Sequence, residues 1–164
     1  MEHNPVLWML VGVPGSGKST WIEKHLYGDE GRGRDTTVLS TDYYIECIAK
    51  DRGLTYNEVF HDTIKDANRK MYEDLKYAVD RGHNIMWDQT NLNRKSRAPK
   101  LNAVPSTYRK IGILFPVPPL DELERRLASR PGKLIPKGVM QNMIDCLTQP
   151  LLEEGFDEVR VANV

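Results

Sequence analysis

The chain has 164 residues, of which 40% are hydrophobic and 28% are charged, as is typical of a globular domain. This composition excludes disordered, collagen-like and coiled-coil chains. Lys plus Arg (23) equals Asp plus Glu (23), so a polyanion site would need locally concentrated positive charge. No apolar run approaches the roughly 20 residues that span a bilayer, and the start lacks the basic region of a signal peptide. We therefore expect a cytoplasmic protein without a membrane partner.

Apolar runs alternate with helical patterns along the chain. Residues 6–13 predict a strand buried on both faces, and a Gly-rich turn and a helix over 18–27 follow it. Residues 28–35 have the composition of a loop. Residues 37–40 predict a second strand, with helical sequence beginning near Tyr43.

The second half of the chain continues this alternation. Thr55 and Glu58 have capping-box spacing, and they precede a long amphipathic helix that ends at Gly82. The apolar positions of this helix are Phe60, Ile64, Ala67, Met71, Leu75 and Ala78. Further strands are predicted over 84–88, over 110–115 and, at the sheet edge, over 159–161. Further helices are predicted over the basic stretch 94–100, over 120–127 and over 138–147.

Strands separated by helices predict a three-layer α/β domain. The sheet should be mostly parallel, with four or five strands and helices on both faces. In such sheets ligands bind beyond the carboxyl ends of the strands. Residues 12–19, Asp42 and Asp88 should therefore meet along one edge of the sheet.

The segment GVPGSGKS (12–19) matches G-x-x-x-x-G-K-[ST] between a predicted strand and a predicted helix. Its glycines let backbone N–H groups converge on phosphate oxygens, and the helix dipole favours the same anion. Lys18 would bind the β- and γ-phosphates, and Ser19 would be a Mg²⁺ ligand. The motif predicts a P-loop NTPase domain that binds ATP. Its predicted cofactor-binding residues are Gly12, Pro14, Gly15, Ser16, Gly17, Lys18, Ser19 and Thr20.

Two further features fit phosphoryl transfer, and each has a plainer alternative. Asp42 follows the second strand, where it could take the proton of an acceptor hydroxyl or simply cap the next helix. Arg126 and Arg130 are spaced i, i+4 ahead of a P-G-K-x-x-P loop (131–136). They could clamp the transferred phosphoryl group from a lid over about 126–137, or form a solvated helix end.

With these residues the chain resembles the kinase domain of phage polynucleotide 5′-hydroxyl kinases, in the adenylate-kinase-like group of P-loop phosphotransferases. The similar segments occur in the same order over about residues 6–147. They are GVPGSGKSTW (12–21), STDYY (40–44), DQTNLN (88–93) and RLASR (126–130). The phosphate loop is specific for nucleotide binding, and the other three support it jointly.

The resemblance implies a single P-loop kinase domain over 1–164. Asp42 would activate the acceptor hydroxyl, and Lys18, Arg126 and Arg130 would stabilise the γ-phosphoryl group. Packing against the adenine would come from Val139 or Met140, and Arg126 would also contact the nucleotide.

Acceptor binding is where the chain departs from the family pattern. The family's arginine three positions beyond the base binds the acceptor's 3′ phosphate, and Ile45 stands there in this chain. Replacement contacts could come from the basic helix, which could equally face solvent. Tyr43 and Tyr44 could stack a base or pack within the protein. The predicted substrate-binding residues are Asp42, Tyr43, Asp88, Thr90, Asn91 and Arg97, with Arg94, Lys95 and Lys100 as further cations.

These observations predict an ATP- and Mg²⁺-dependent kinase that phosphorylates the 5′-hydroxyl end of DNA or RNA, as in nucleic-acid end repair. It would act in the host cytoplasm if phage-encoded. Two alternatives stay open. One is a P-loop kinase of a small metabolite or nucleoside, and the other is a nucleotide-dependent switch or ATPase whose only acceptor is water.

Overall fold

The computed structural model describes residues 4–27 and 35–163. The predicted loop over 28–35 therefore lies, except for its last residue, outside the described residues. Five strands and six α-helices are present in this part of the chain. The strands are β1 (Val6–Val11), β2 (Thr36–Leu39), β3 (Asn84–Trp87), β4 (Arg109–Leu114) and β5 (Glu158–Val161). The helices are α1 (Lys18–Tyr27), α2 (Thr41–Arg52), α3 (Tyr56–Asp80), α4 (Arg94–Ala103), α5 (Leu120–Ala128) and α6 (Lys137–Cys146).

The five strands form one sheet in the order β2-β3-β1-β4-β5. Every neighbouring pair is parallel, so the predicted α/β fold with its parallel sheet is confirmed. β5 is the edge strand that the sequence predicts. Since all strands run the same way, the loops after β1, β2 and β3 leave the sheet at the same edge.

The two faces of the central strand carry separate cores. Leu7 and Met9 of β1 pack in one apolar cluster with Met71 of α3. Leu10 points to the opposite face and packs with Trp21 of α1. This alternation follows from the period of two in a strand and explains the continuous apolar run over 6–13.

Helix α3 begins as the capping box predicts. The Thr55 hydroxyl accepts from the Glu58 N–H, and the Glu58 carboxylate accepts from the Thr55 N–H. The buried face of the helix includes Val59 and Thr63. Phe60, which was predicted in the apolar stripe, is instead 41% exposed. Over the described ranges, no helix is both long and apolar enough to cross a membrane.

Candidate active site

The phosphate loop joins β1 to α1 in a tight turn. Gly15 and Gly17 have φ angles of 82° and 104°, a backbone conformation that favours glycine. Helix α1 begins at Lys18, whose Nζ donates to the carbonyl oxygens of Gly12 (2.7 Å) and Val13 (3.0 Å). The turn thus presents a helix N-terminus and an ammonium group together, as an anion site requires.

Two of the predicted loop residues lie behind the turn rather than on the cleft wall. Gly12 donates its N–H to the Thr90 carbonyl (3.0 Å). A Cβ at Gly12 would lie 2.6 Å from Ser16 Oγ and 2.8 Å from Phe115 Cβ, so this glycine permits close packing. Ser16 is only 1% exposed. The Gly12 N–H is thus used within the protein, which assigns Gly12 to loop support, whereas cofactor contact at Ser16 stays a prediction.

The side-chain amine of Lys18 has a low pKa for a lysine. Burial is the main cause that lowers its pKa to about 8; the charge of Arg130 also lowers it, whereas Asp88 and Asp42 oppose the shift. Near pH 8 the amine is therefore partly neutral in the free protein. A bound phosphate chain would restore its proton.

We therefore expect ATP binding at pH 8 to take up about half a proton, because the anion favours the ammonium form. Calorimetry in two buffers of different ionisation enthalpy measures this uptake. Lys18→Arg should remove it, since a guanidinium keeps its charge. Equal uptake in both proteins would contradict the assignment to Lys18.

Asp42 lies in the first turn of α2 and opens into the cleft. The helix N-cap is Ser40, whose hydroxyl accepts from the Tyr43 N–H, so Asp42 is not needed as the cap. Its carboxylate accepts 2.6 Å from the Tyr56 hydroxyl and 3.0 Å from Lys133 Nζ. The cleft's partial exclusion of water would raise the pKa of Asp42, but these two partners bring it below its usual range.

Neither Tyr56 nor Lys133 is among the site residues that the sequence predicts. Tyr56 directly follows the Thr55 cap, and Lys133 is the lysine of the P-G-K-x-x-P loop. Those positions are the signals that could have identified them. Neither signal indicates a partner 14 or 91 residues away in the chain.

Asp88 directly follows β3 and lies on the wall of the same cleft as Lys18 and Asp42. Burial raises its pKa, and the charge of Lys18 partly offsets that rise. Thr90 also lines the cleft. The loop after β1 and the loops after β2 and β3 therefore converge, as the parallel sheet predicts.

Asn91 was predicted to bind substrate, but it is only 2% exposed. Its amide donates to the Leu10 carbonyl (2.8 Å), and its backbone has a left-handed φ of 47°. Its role in this structure is to tie the turn after β3 to the end of β1. The D-x-T-N segment is thereby hydrogen-bonded to the end of β1 and to the first residue of the phosphate loop.

The two lid arginines both reach the cleft wall. Arg126 donates to the Gly15 carbonyl (2.9 Å) and to Glu122 (2.8 Å). Helix α5 ends at Ala128, so Arg130 extends from the start of the lid loop rather than from the helix face. Arg125 pairs with Glu122 at the surface, with 73% of its side chain exposed.

None of the four cations of the basic helix α4 lines the cleft, and Lys95 is exposed to solvent, as the alternative of a solvent-facing helix predicts for it. Arg97 has a fully buried side chain (0% exposed) that pairs with Glu154. Lys100 donates to the Asn91 side chain, and Arg94 pairs with Glu153 at the surface. The prediction that Arg97 binds substrate is therefore wrong, because its guanidinium is enclosed by the protein's own acceptors.

The predicted adenine contact divides between two neighbours. Met140 is buried with Val13 and Leu123 in a small apolar core, so it is not at the cleft surface. Val139 is 43% exposed and lines the cleft, together with Met143. The cleft has a volume of about 2260 Å³. Its wall also includes Pro14, Ser19, Thr20, Tyr43, Tyr44, Glu46, Phe60 and the lid residues 129–136.

A family profile described as "AAA domain" matches residues 7–150 of the chain. The chain belongs to this family. The match includes the phosphate loop, both cleft carboxylates and the lid.

Solved structures of kinase-named proteins share the fold. A candidate kinase from Chloroflexus aurantiacus is 18% identical with a TM-score of 0.68. The match covers 99% of this chain and 86% of that one. A gluconokinase from Sinorhizobium meliloti is 20% identical with a TM-score of 0.52, at the same coverages of 99% and 86%. The fold is therefore that of P-loop kinases.

A chain of the Pnkp1/Rnl/Hen1 complex is also similar. It is 21% identical with a TM-score of 0.57, over 77% of this chain and 40% of that one. This chain thus spans well under half of that protein's length. At such identities the likeness concerns the fold, so the resemblance to polynucleotide kinases stays a prediction.

Proposed function

We propose that the chain is one P-loop kinase domain that transfers the γ-phosphoryl group of ATP to an acceptor hydroxyl at Asp42. The observation that carries this proposal is the meeting of Lys18, Asp42 and Arg130 in one cleft. The acceptor oxygen would attack the γ-phosphorus, the bond to the β-phosphate oxygen would break, and Asp42 would take the hydroxyl proton. ADP would then leave.

ATP and Mg²⁺ fit the phosphate loop. The left-handed Gly15 and Gly17 and the N-terminus of α1 suit the phosphates, and Val139 suits the base. Mg²⁺ bound to a triphosphate takes few protein ligands and keeps several waters. The exposed Ser19 hydroxyl can be such a ligand. When bound, the ion would neutralise charge on the transferring group.

The acceptor that we propose first is the 5′-hydroxyl end of DNA or RNA. Four segments support it through their resemblance to polynucleotide kinases, and the likeness to a chain of the Pnkp1/Rnl/Hen1 complex agrees with it. Tyr43, with 72% of its surface exposed at the cleft, offers a ring on which a terminal base can stack. Such an activity would serve nucleic-acid end repair.

A small hydroxyl compound or nucleoside is the second candidate, and two observations favour it. Ile45, at the position of the family's phosphate-binding arginine, is 0% exposed within a core cluster. Arg97 is enclosed as well. Two positions from which a polynucleotide's phosphates could be held therefore lie inside the protein.

Transfer of labelled γ-phosphate to a panel of acceptors distinguishes these candidates. With a 5′-OH oligonucleotide as substrate we expect label on its end, and a KM that rises steeply with salt because counterions compete for phosphate contacts. The KM for a nucleoside or a neutral metabolite should change little with salt concentration. Label found only in inorganic phosphate, with ATP still bound, would contradict a hydroxyl acceptor and favour the ATPase alternative.

A further inference from the structure

The lid loop over 131–136 is docked against the start of α3. Asn57 donates its N–H to the Gly132 carbonyl (3.1 Å) and its side-chain amide to the Leu134 carbonyl (3.0 Å). Gly132 has a φ of 71°, and a Cβ there would lie 2.7 Å from Thr55 Cβ. These contacts hold the lid loop against α3.

In this position the lid places one cation on Asp42. Lys133 Nζ lies 3.0 Å from Asp42 Oδ2 and 3.0 Å from Glu46 Oε1, and 4.5 Å from the centre of the Tyr56 ring. Only 15% of the Lys133 side chain is exposed. Because the Tyr56 hydroxyl holds Oδ1, both oxygens of Asp42 are fixed, one from α3 and one from the lid.

We propose that Lys133 is a positioning residue that completes the general base when the lid closes. The inference rests on the proposed phosphotransfer. Arg130 and Lys133 lie three residues apart, so one movement of the lid would bring Arg130 towards the phosphates and Lys133 to the base. Transfer to the acceptor is thereby tied to a closed cleft.

The hydrogen-bond capacity of the groups permits this role. An ammonium has three donors, of which Asp42 and Glu46 use two, and a carboxylate has about four lone-pair positions. Asp42 therefore keeps acceptor capacity for the hydroxyl proton while it is held by Tyr56 and Lys133. Lys133 orients the base without blocking it.

The charges around Asp42 give this arrangement a measurable consequence. The ionisable groups that face it are Lys18 of α1, Glu46 of α2, Tyr56 of α3, Asp88 after β3, and Arg130 and Lys133 of the lid. Without the positive charge of Lys133, less positive charge remains near the carboxylates of Asp42, Glu46 and Asp88. The pKa of Asp42 would then rise, and the base would be protonated at higher pH.

The test compares Lys133→Met with Lys137→Met, since Lys137 is an exposed lysine at the start of α6 that does not line the cleft. For Lys133→Met we expect kcat of transfer to fall about 10- to 100-fold, with the KM for ATP within about twofold. The acid limb of the kcat–pH profile should move to higher pH. Lys133→Arg should recover part of the activity, and Lys137→Met should match the wild type.

A second variant moves the lid and leaves its charges in place. Gly132→Ala should lower kcat in the same way, because alanine fits neither the φ angle nor the space beside Thr55. The double variant Gly132→Ala/Lys133→Met should be little worse than either single one, since both act through one contact.

The Asp42 titration, followed by carboxyl-carbon NMR, gives a readout that does not need turnover. Its midpoint should rise in Lys133→Met and stay in place in Lys137→Met. An unchanged midpoint, or a loss of kcat matched by an equal loss of ATP affinity, would overturn the inference. Absence of transfer by the wild type to any hydroxyl would instead overturn the proposed function.

Discussion

Asp42→Asn is expected to lower phosphoryl transfer about 10²- to 10⁴-fold, the usual contribution of a positioned general base. Asparagine keeps the size of the side chain and can still accept from Tyr56, but it cannot take up the acceptor's proton. The affinity for ATP should stay within about twofold, because the phosphate loop provides the nucleotide contacts. Single-turnover transfer and equilibrium ATP binding measure the two effects separately.

The pH dependence sharpens this prediction. Since the pKa of Asp42 lies below its usual range, the Asp42 carboxylate stays ionised at neutral pH, and kcat should fall only as pH drops through that lowered value. Asp42→Asn should lack this limb. Asp51→Asn, on the exposed end of the same helix, is the control and should retain the full profile. Equal losses of ATP binding and transfer would show that Asp42 has a structural role instead.

Arg97→Met is expected to lower the free energy of unfolding by about 3–5 kcal/mol, the usual cost of breaking a buried ion pair. The Arg97 guanidinium donates to both carboxylate oxygens of Glu154 at 2.8 and 3.0 Å. It also donates to the carbonyls of Asn91 and Thr148. Its removal leaves the Glu154 carboxylate, 3% exposed, without its cation.

Urea denaturation measures the effect, and α4 itself supplies the control. Arg94 pairs with Glu153 with 60% and 66% of the two side chains exposed, so Arg94→Met should cost about 0–1 kcal/mol. Arg97→Met/Glu154→Met should recover much of the loss, because no charge is left buried. A midpoint for Arg97→Met equal to that of Arg94→Met would contradict the importance of the pair.

The basic helix shows where reasoning from the sequence reaches its limit. Arg94 and Arg97 occur in the same stretch and have the same chemistry, yet one is at the surface and the other is enclosed. The partner of Arg97 lies 57 residues further along the chain. Local composition cannot specify such a contact. The same limit applies to Val139 and Met140, which are neighbours in the chain. The sequence does not show that Val139 lines the cleft whereas Met140 packs in a core.

The phosphate loop, the parallel α/β fold and the convergence of Asp42 and Asp88 on Lys18 could all be predicted from the sequence alone. They depend on local patterns and on the rule that parallel strands end at one edge. Only the tertiary structure decided which side chains hold Asp42. The Tyr56 hydroxyl and the Lys133 ammonium come from separate segments, and packing of the lid against α3 is what brings them to one carboxylate.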